Sequence, residues 1–435
     1  MFDVFHIGHL RHLKKAKEFG DYLIVSITPD KYVNKGPDRP IFSETYRAEM
    51  IKNLEFVDEV IINKYPTSVE LINNIKPDVY VKGKDYEKLE EDLTGNINLE
   101  KEAIEKHGGR IEFTDEITFS SSNLVNNIKL SEQTRDYVKE LKNKYTLKDI
   151  IKYIDDLKDL NVVVIGDSIR DEYMFGETIG KSGKSPIVAF KNYHLEDYDG
   201  GVLAIVNHLN TFVKNVDCIT RDSLTVKRRY IQNNQKLFET YDTDINEYYK
   251  RPPRTGVKGY DITIVADFGH DFMNKPTREN IKENSNFMAL NTQSNAGNMG
   301  LNTINKYNKD ANYICIDEKE LRLAFSNSED KIEDILMNHF TTQIVTITKG
   351  EDGCIVYKDG RCYNIPSFTL NGIVDTIGAG DAFLSITSLL AYNNVPAEII
   401  GFIGNCVGAL ATTYMGNKQS VTYKKLCRYI DIVLR

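Results

Sequence analysis

The chain has 435 residues, a net charge of −8, 41% hydrophobic residues and 27% charged residues. That balance is globular and excludes a disordered, collagenous or low-complexity chain. Its acidic sign speaks against a dedicated nucleic-acid binder, whose affinity rests on dense Lys and Arg, while the length predicts two or three domains.

No secretory leader is expected, because His6, His9, Arg11 and Lys14 interrupt any apolar run at the start, and the cytoplasm is the default location. Strands are predicted at 22–28, 59–63, 78–82 and 110–114. Helical patterns lie between them near 9–19, 44–55, 67–75 and 98–107. Such alternation predicts a parallel sheet with helices on both faces. Residues 130–160 are charged, lack Gly and Pro, and read as a helical connector. A second α/β unit opens at 161–167, with further strands predicted at 187–190, 261–266, 287–291, 313–316, 344–348 and 353–357. Residues 382–415 are the most apolar stretch, but Asn393, Asn394, Pro396 and Glu398 divide it into two buried helices rather than a membrane span. The six cysteines form no CxxC pair, so neither zinc nor a disulfide framework is expected. Cys354 and Cys362 could face each other across a hairpin, but free thiols are the expectation.

The first chemical signal is His6-Ile7-Gly8-His9, at the start of a helix. Backbone N–H groups and the dipole at a helix N-terminus attract phosphate oxygens, Gly8 permits close approach, and two imidazoles can donate to a triphosphate. His6, His9 and His12 also stand at i, i+3, i+6 and could instead be a metal trio or plain surface residues. Lys14, Lys15, the basic loop 35–40, Arg47, Lys82–Tyr86 and Ser120–Asn123 all fall at strand C-termini or helix N-termini, where open α/β sheets bind ligands.

Together, FDVFHIGH, GDYLIVSITPD, RPIFSETYRAEMI, KPDVYVKGKDYE and FSSSNLV resemble the cytidylyltransferase-like nucleotidyltransferases over residues 2–129. Within them the segment is most similar to the adenylyltransferase domain of bifunctional heptose-phosphate kinase/adenylyltransferases. The resemblance implies transfer of a nucleotidyl group from a nucleoside triphosphate to a sugar phosphate. It implies catalytic roles for His6, His9 and Lys14, with Arg47 as a further cation. It also implies nucleotide contacts from Gly8, Lys82, Asp85, Ser121 and Ser122. In that family a β-strand precedes the Phe2-Asp3 pair, so the first, central strand is expected to be missing here, leaving its neighbours' edges open.

The second signal is Asp375-Thr376-Ile377-Gly378-Ala379-Gly380-Asp381, which opens a helix. Two glycines at a helix N-terminus can aim N–H groups at a phosphoryl group, and Asp381 can accept a hydroxyl proton. A Gly-rich turn with a cap is the plain alternative. With VVVIGD, Gly200-Gly201, VADFGH and TKGEDG, the segment makes residues 161–434 resemble the ribokinase-like (PfkB) sugar kinases. That resemblance implies Asp381 as the catalytic base. ATP contacts would come from Thr348, Gly350, Gly353, Gly378, Gly380 and Asn405. Sugar contacts would come from Asp167, Asp171, Gly200, Gly201, Arg228 and Asn234, and Glu320 would order Mg²⁺.

This sequence departs from the family pattern in three places. Val202–Asn207 replaces the usual small residues, Asp317 replaces an Asn, and Leu290–Gln293 stands where heptose kinases carry a D-P-K type run. The Asn-rich run 291–305 is either a specialised pocket or a structural loop. GETIGKSGKS at 176–185 looks like a P-loop, but only three residues separate Gly176 from Gly180, so the spacing fails.

The fold expected is two doubly wound α/β domains. A Rossmann-like nucleotidyltransferase (1–130) is followed by a helical linker (131–160) and a ribokinase-like α/β sandwich with a small β lid (161–435). The resemblances imply a bifunctional sugar kinase and sugar-phosphate nucleotidyltransferase, with its domains in the opposite order to the heptose-phosphate family. Such an enzyme would make an ADP-heptose-like activated sugar for surface polysaccharide, with ATP as substrate and Mg²⁺ as cofactor. Its partners would be small molecules, with no nucleic acid or membrane, and a homodimer through the lid is implied. Two alternatives stay open: a polyol-phosphate cytidylyltransferase, and a kinase fold that only binds sugar or regulates.

Overall fold

A computed structural model describes residues 2–33, 40–83, 96–114, 130–181, 183–221, 225–233, 235–242, 256–307, 310–341, 343–369 and 373–434. These fall into two compact units. One runs to Leu130 and includes Asp431–Val433; the other comprises Ser131–Ile430 and Leu434.

The first unit alternates helix and strand: α1 (Ile7–Lys17), β1 (Ile24–Ile27), α2 (Glu44–Lys52), β2 (Glu59–Ile62), α3 (Val69–Ile75), β3 (Val79–Gly83), α4 (Asn96–Glu105) and β4 (Arg110–Thr114). Every strand and helix expected here from hydrophobic periodicity is present, with bounds shifted by a few residues. Among the described residues the strands form two separate parallel pairs, β1 with β2 and β3 with β4. Leu13, Val25, Ile27 and Ile51 make the core beside the first pair, and Ile72, Ala103 and Ile104 pack together beside the second. The Ser43 hydroxyl caps α2 by accepting from Tyr46 N–H.

In the second unit, α5 (Glu132–Lys144) and α6 (Leu147–Asp155) are capped by Ser131 and by a Thr146–Asp149 capping box. They bury Val138, Leu141, Ile150 and Ile154, and Tyr137 donates to the Glu398 carbonyl. The charged helical segment is thus packed into the second unit's body. The chain continues through β5 (Asn161–Gly166), β6 (Ser168–Lys181), β7 (Val188–Gly201), α7 (Val202–Leu209), β8 (Asn215–Ile219), β9 (Thr225–Gln232), β10 (Gln235–Asp242) and β11 (Ile262–Asp267). Next come α8 (Lys275–Asn284), β12 (Met288–Thr292), β13 (Tyr313–Asp317), α9 (Glu318–Phe325), α10 (Ile332–His339), β14 (Ile344–Thr348), β15 (Cys354–Lys358) and β16 (Arg361–Ile365). The two apolar helices α11 (Ala379–Tyr392) and α12 (Ala397–Ala411) and then α13 (Tyr423–Leu434) complete it.

Eight strands form one sheet in the order β16-β15-β14-β13-β12-β11-β5-β8, parallel from β8 to β14 and antiparallel at β15 and β16. Apolar runs such as Val162–Ile165 and Ile262–Ala266 are buried on both faces, as a helix-covered parallel sheet requires. A second sheet, β10-β9-β6-β7, is the small lid. The expected α/β class, with a β lid on the second unit, is what the chain adopts. Of GETIGKSGKS, residues 176–181 end β6 and 183–185 lie ahead of β7, not in a strand–loop–helix. All six cysteines are free. Among the described residues no helix is long and apolar enough to cross a membrane.

Gly166 ends β5 with φ +152°, and a Cβ there would sit 1.8 Å from the Ala266 carbonyl oxygen. Both strands are buried and cannot give way. Gly166→Ala should therefore lower stability by about 3 kcal/mol, read as a fall in the denaturation midpoint. A midpoint within error of the parent would contradict this packing.

Candidate functional site

In the first unit His6 is the N-cap of α1, and its Nδ1 accepts the Gly8 N–H at 3.1 Å. An accepting Nδ1 leaves the proton of the neutral ring on Nε2. That Nε2 is buried and without a hydrogen-bond partner. The His6 and His9 rings stack with centroids 3.9 Å apart. Burial lowers the pKa of His6 and also that of His12, whose Nδ1 meets Thr114 Oγ1 at 2.7 Å. Among the described residues no group of three or more His, Cys, Asp or Glu side chains converges as a metal site would.

The Lys14 ammonium stands 5.9 Å from the Phe56 ring centre. Lys82 is ion-paired with Glu100 on α4. Arg47 is a fully buried strut whose guanidinium donates to the Phe42 and Thr28 carbonyls and to Asp30. Asp85, Ser121 and Ser122 lie outside the described residues.

The second unit gathers its polar groups at the C-terminal edge of the eight-stranded sheet, beneath the lid. Gly378, with φ +79°, is the N-cap of α11, and no side chain caps that helix. A Cβ at Gly378 would meet Asn417 Oδ1 at 2.0 Å, whereas the space beside Gly380 is open. No side chain accepts from the first N–H groups of α11, and Ala379 N–H bonds the Thr376 carbonyl at 3.3 Å. Asp381 lies in this first turn. Burial and the neighbouring Asp171 push its pKa up to about 7, and Lys227 opposes them.

The lid places its residues by register. Asp171, Lys227 and Tyr241 are direct cross-strand partners, and so are Tyr173, Arg229 and Glu239. Alternation puts both rows on one face, with Thr225, Lys227, Arg229 and Ile231 buried. Arg229 pairs with Asp171 at 2.5 Å and with Glu239 at 3.4 Å. Arg228 stands on the opposite face, paired with Glu172 at 2.6 Å and Asp242 at 2.9 Å. Arg228, implied as a sugar contact, thus lies on the other face from Lys227 and Arg229, because a shift of one residue along a strand changes face. Asn234 lies outside the described residues.

Two glycines at the end of β7 leave room for the aspartates beside them. A Cβ at Gly200 would sit 2.4 Å from Asp171 Oδ2, and one at Gly201 would sit 2.4 Å from the Asp167 carbonyl oxygen. Asp167 Oδ2 accepts from Phe268 and His270 N–H, and burial together with Asp267 raises its pKa to about 7. Asp267 itself is held by Tyr307 and Lys306 at 2.5 Å each. The Asn-rich run proves structural: Asn291, Asn295, Asn298 and Asn302 donate their amides to the carbonyls of Cys315, Phe268, Gln293 and Asp267.

Glu320 forms a capping box with Asp317 on α9, its two oxygens accepting from Asp317 and Ser294 N–H. Burial and Asp317 raise its pKa to about 7, and Asp381 adds to the rise. Each Glu320 oxygen keeps a lone pair free, and these hard oxygen donors suit Mg²⁺ held largely through water and phosphate. Thr348, Gly350 and Gly353 form the turn after β14; Gly353 has φ +86°, and a Cβ there would strike the Ile365 carbonyl oxygen at 2.1 Å. Asn405 donates its amide to the Ile365 and Pro366 carbonyls.

Asp375 was legible only as part of the glycine motif, yet it joins the lid to that loop. It accepts from Lys236 at 2.7 Å, Tyr173 OH at 3.3 Å, Gly416 N–H at 3.0 Å and Ile377 N–H at 3.2 Å. Burial opposes its ionisation, but Lys236 and the two N–H groups hold its pKa below the usual range.

Comparison with known proteins follows the same division. Residues 1–127 match the cytidylyltransferase-like family, and residues 277–423 match the pfkB family carbohydrate kinases. Both are transferase families, and the transferase class expected from the sequence stands. The protein named Bifunctional protein HldE from Syntrophotalea carbinolica is 36% identical over 130 residues, covering 29% of this chain and 25% of that protein. Its counterpart from Nitratiruptor sp. is 49% identical over 87 residues, 20% of this chain and 19% of that protein. These matches lie in the N-terminal part and span about a quarter of the relatives' length or less. Among solved structures, the Methanocaldococcus jannaschii nucleoside kinase, an archaeal member of the ribokinase family, covers 63% of this chain and 99% of its own. Its identity is 13% and its TM-score 0.49.

The Asp381 electrostatics have a measurable sign. Its folded pKa near 7 lies above the ordinary carboxylate value of about 4, so folding loses stability as pH rises between the two. Asp381→Asn should unfold at a higher temperature than the parent at pH 8, with the gap closing toward pH 4. A gap independent of pH would show that Asp381 ionises normally.

Proposed function

We propose that the chain is a two-activity transferase: a nucleotidyltransferase in the first unit and an ATP-dependent sugar kinase in the second. The observation that carries the kinase half is Asp381 in the first turn of an uncapped helix, with open space at Gly380 and Asp171 and Lys227 facing it. In this reading the Asp381 carboxylate takes the proton of a sugar hydroxyl as that oxygen attacks the γ-phosphorus of ATP. The N–H groups of α11 receive the phosphoryl oxygens, and ADP leaves. Thr348, Gly350 and Gly353 flank the nucleotide, and Asp167 and Asp171 orient the sugar. Asp317 and Glu320 would hold Mg²⁺ through water; bound there, it would neutralise phosphate charge.

In the first unit, His6 Nε2 and the α1 N-terminus bind the triphosphate. A sugar phosphate oxygen attacks the α-phosphorus, and pyrophosphate leaves with no covalent intermediate. The family matches and the bifunctional relatives support the pairing of activities. The finer reading is an activated sugar of the ADP-heptose kind, destined for surface polysaccharide.

Pyrophosphate release with ATP against CTP, over a panel of sugar 1-phosphates, tests the first half; preference for CTP would reassign it as a cytidylyltransferase. ADP release over a sugar panel tests the second. It should rise about tenfold per pH unit below about 7 and level off above, because only the carboxylate can take the proton. Asp381→Asn should slow it by roughly 10²–10⁴-fold, and unchanged ATP turnover would sink the kinase half.

A further inference from the structure

A cavity lies at the opposite end of the eight-stranded sheet from Asp381. It holds about 440 Å³ and is walled by the N-terminal ends of β12, β13 and β14 and by the C-terminal end of α11. Small-molecule sites occupy roughly 300–1,000 Å³, so the size fits one. Tyr392, the last residue of α11, stands about 16 Å along the helix from Asp381, which separates the cavity from the phosphoryl-transfer end. Open α/β sheets bind ligands at the C-terminal ends of their strands, so the fold by itself does not account for a hollow here.

The polar groups of the lining are held in place by backbone. Asn312 accepts Met288 N–H on its Oδ1 at 2.8 Å and donates its own backbone N–H to the Met288 carbonyl at 2.9 Å. Its side-chain NH2 is left as a donor. Gln343 is nine-tenths buried and accepts from Thr341 N–H at 3.3 Å. Lys358 reaches the carbonyls of Asn394 and Val395 at 3.1 and 2.8 Å and so fixes the loop after α11. Among the described residues no hydrogen bond engages the Tyr392 hydroxyl or the Asn394 side-chain amide. The lining carboxylate, Asp310, is paired with Lys282 at 2.7 Å, which leaves no net charge to hold a phosphate. Phe287 and Tyr392 meet edge to face, 85° apart with centroids 5.5 Å from each other. They offer one apolar platform rather than a parallel slot for a flat base.

We propose that this cavity is a small-molecule site, separate from the kinase centre, that takes a neutral sugar. Hydroxyl groups both donate and accept, which matches the mixed rim of amides, carboxylate and phenol, while the aromatic pair covers the apolar face of the sugar ring. The inference goes beyond the kinase reading and does not rest on it, since no group of the phosphoryl-transfer end takes part.

The chain contains no Trp. Tyr392→Trp in the full-length protein therefore places a single indole in the cavity, keeps an aromatic wall and reports occupancy by its fluorescence. It is titrated with glucose, maltose, adenosine and inorganic phosphate, and maltose is also titrated calorimetrically into the parent and Tyr392→Ala. Glucose or maltose should give a saturable change, and the maltose isotherm should lose a binding event in Tyr392→Ala. Glycine at 394 keeps the left-handed φ of +53° found there. Adding Asn394→Gly should thus weaken the sugar roughly 2–10-fold, as for one lost neutral hydrogen bond. Adding Asp381→Asn should leave the affinity unaltered. The site is overturned by the absence of a saturable change with either sugar together with identical maltose isotherms in parent and Tyr392→Ala. A response to adenosine or phosphate in place of sugar, or an affinity indifferent to Asn394→Gly, overturns it too. So does a weaker affinity with Asp381→Asn, which would put the sugar at the phosphoryl-transfer end. A failure of ATP turnover bears on the kinase reading alone.

Discussion

Carboxylates crowd the C-terminal edge of the second unit's sheet, and the surrounding structure is arranged to keep that crowding tolerable. Asp167, Asp267 and Asp317 end or follow three of its strands, Glu320 follows on α9, and Asp171 and Asp381 face one another from lid and core helix. Like charges in low dielectric repel strongly. Three of them, Asp167, Glu320 and Asp381, are pushed toward neutrality. Others are compensated locally, Asp171 by Arg229, Asp267 by Lys306 and Tyr307, and Asp375 by Lys236. The lid supplies two of those compensating cations, Arg229 and Lys236, so it is an electrostatic element as much as a cover.

This arrangement explains what could and could not be read from residues alone. The central strands announce themselves as Val/Ile runs, because burial on both faces demands them. The lid strands do not. In β9, Thr225, Lys227 and Arg229 point inward, so the buried face is the polar one, while Val226 and Tyr230 lie on the other face. A polarity pattern that runs against burial hides β6, β9 and most of β7 from hydrophobic periodicity, while β8 and β16 are half-exposed edges of the large sheet with no apolar run to show. The same alternation sets Arg228 on the face opposite Lys227 and Arg229. The register partners of Asp171 and Tyr173 settle the face, and no single-strand pattern contains them.

In the first unit the reading went further, since helix geometry follows from spacing. His6 and His9 are neighbours on one face of α1, and their rings stack. Lys14 is five residues beyond His9, roughly 140° around the helix, and its ammonium stands near the Phe56 ring. What spacing could not show is that Arg47 is buried against backbone carbonyls and the Asp30 carboxylate. A guanidinium used as a strut and one offered to a phosphate look alike in a sequence.

The ion pair between Lys236 and Asp375 has a mechanical meaning. Lys236 rides on the outermost lid strand, while Asp375 also grips Gly416 and Ile377, just ahead of the Gly378–Gly380 turn. A lid that lifts must surrender this pair and the Tyr173 hydroxyl together, leaving Asp375 half-released at the moment the cavity floods. Two of the four ties at Asp375 come from the lid and two, Gly416 and Ile377 N–H, stay with the turn itself.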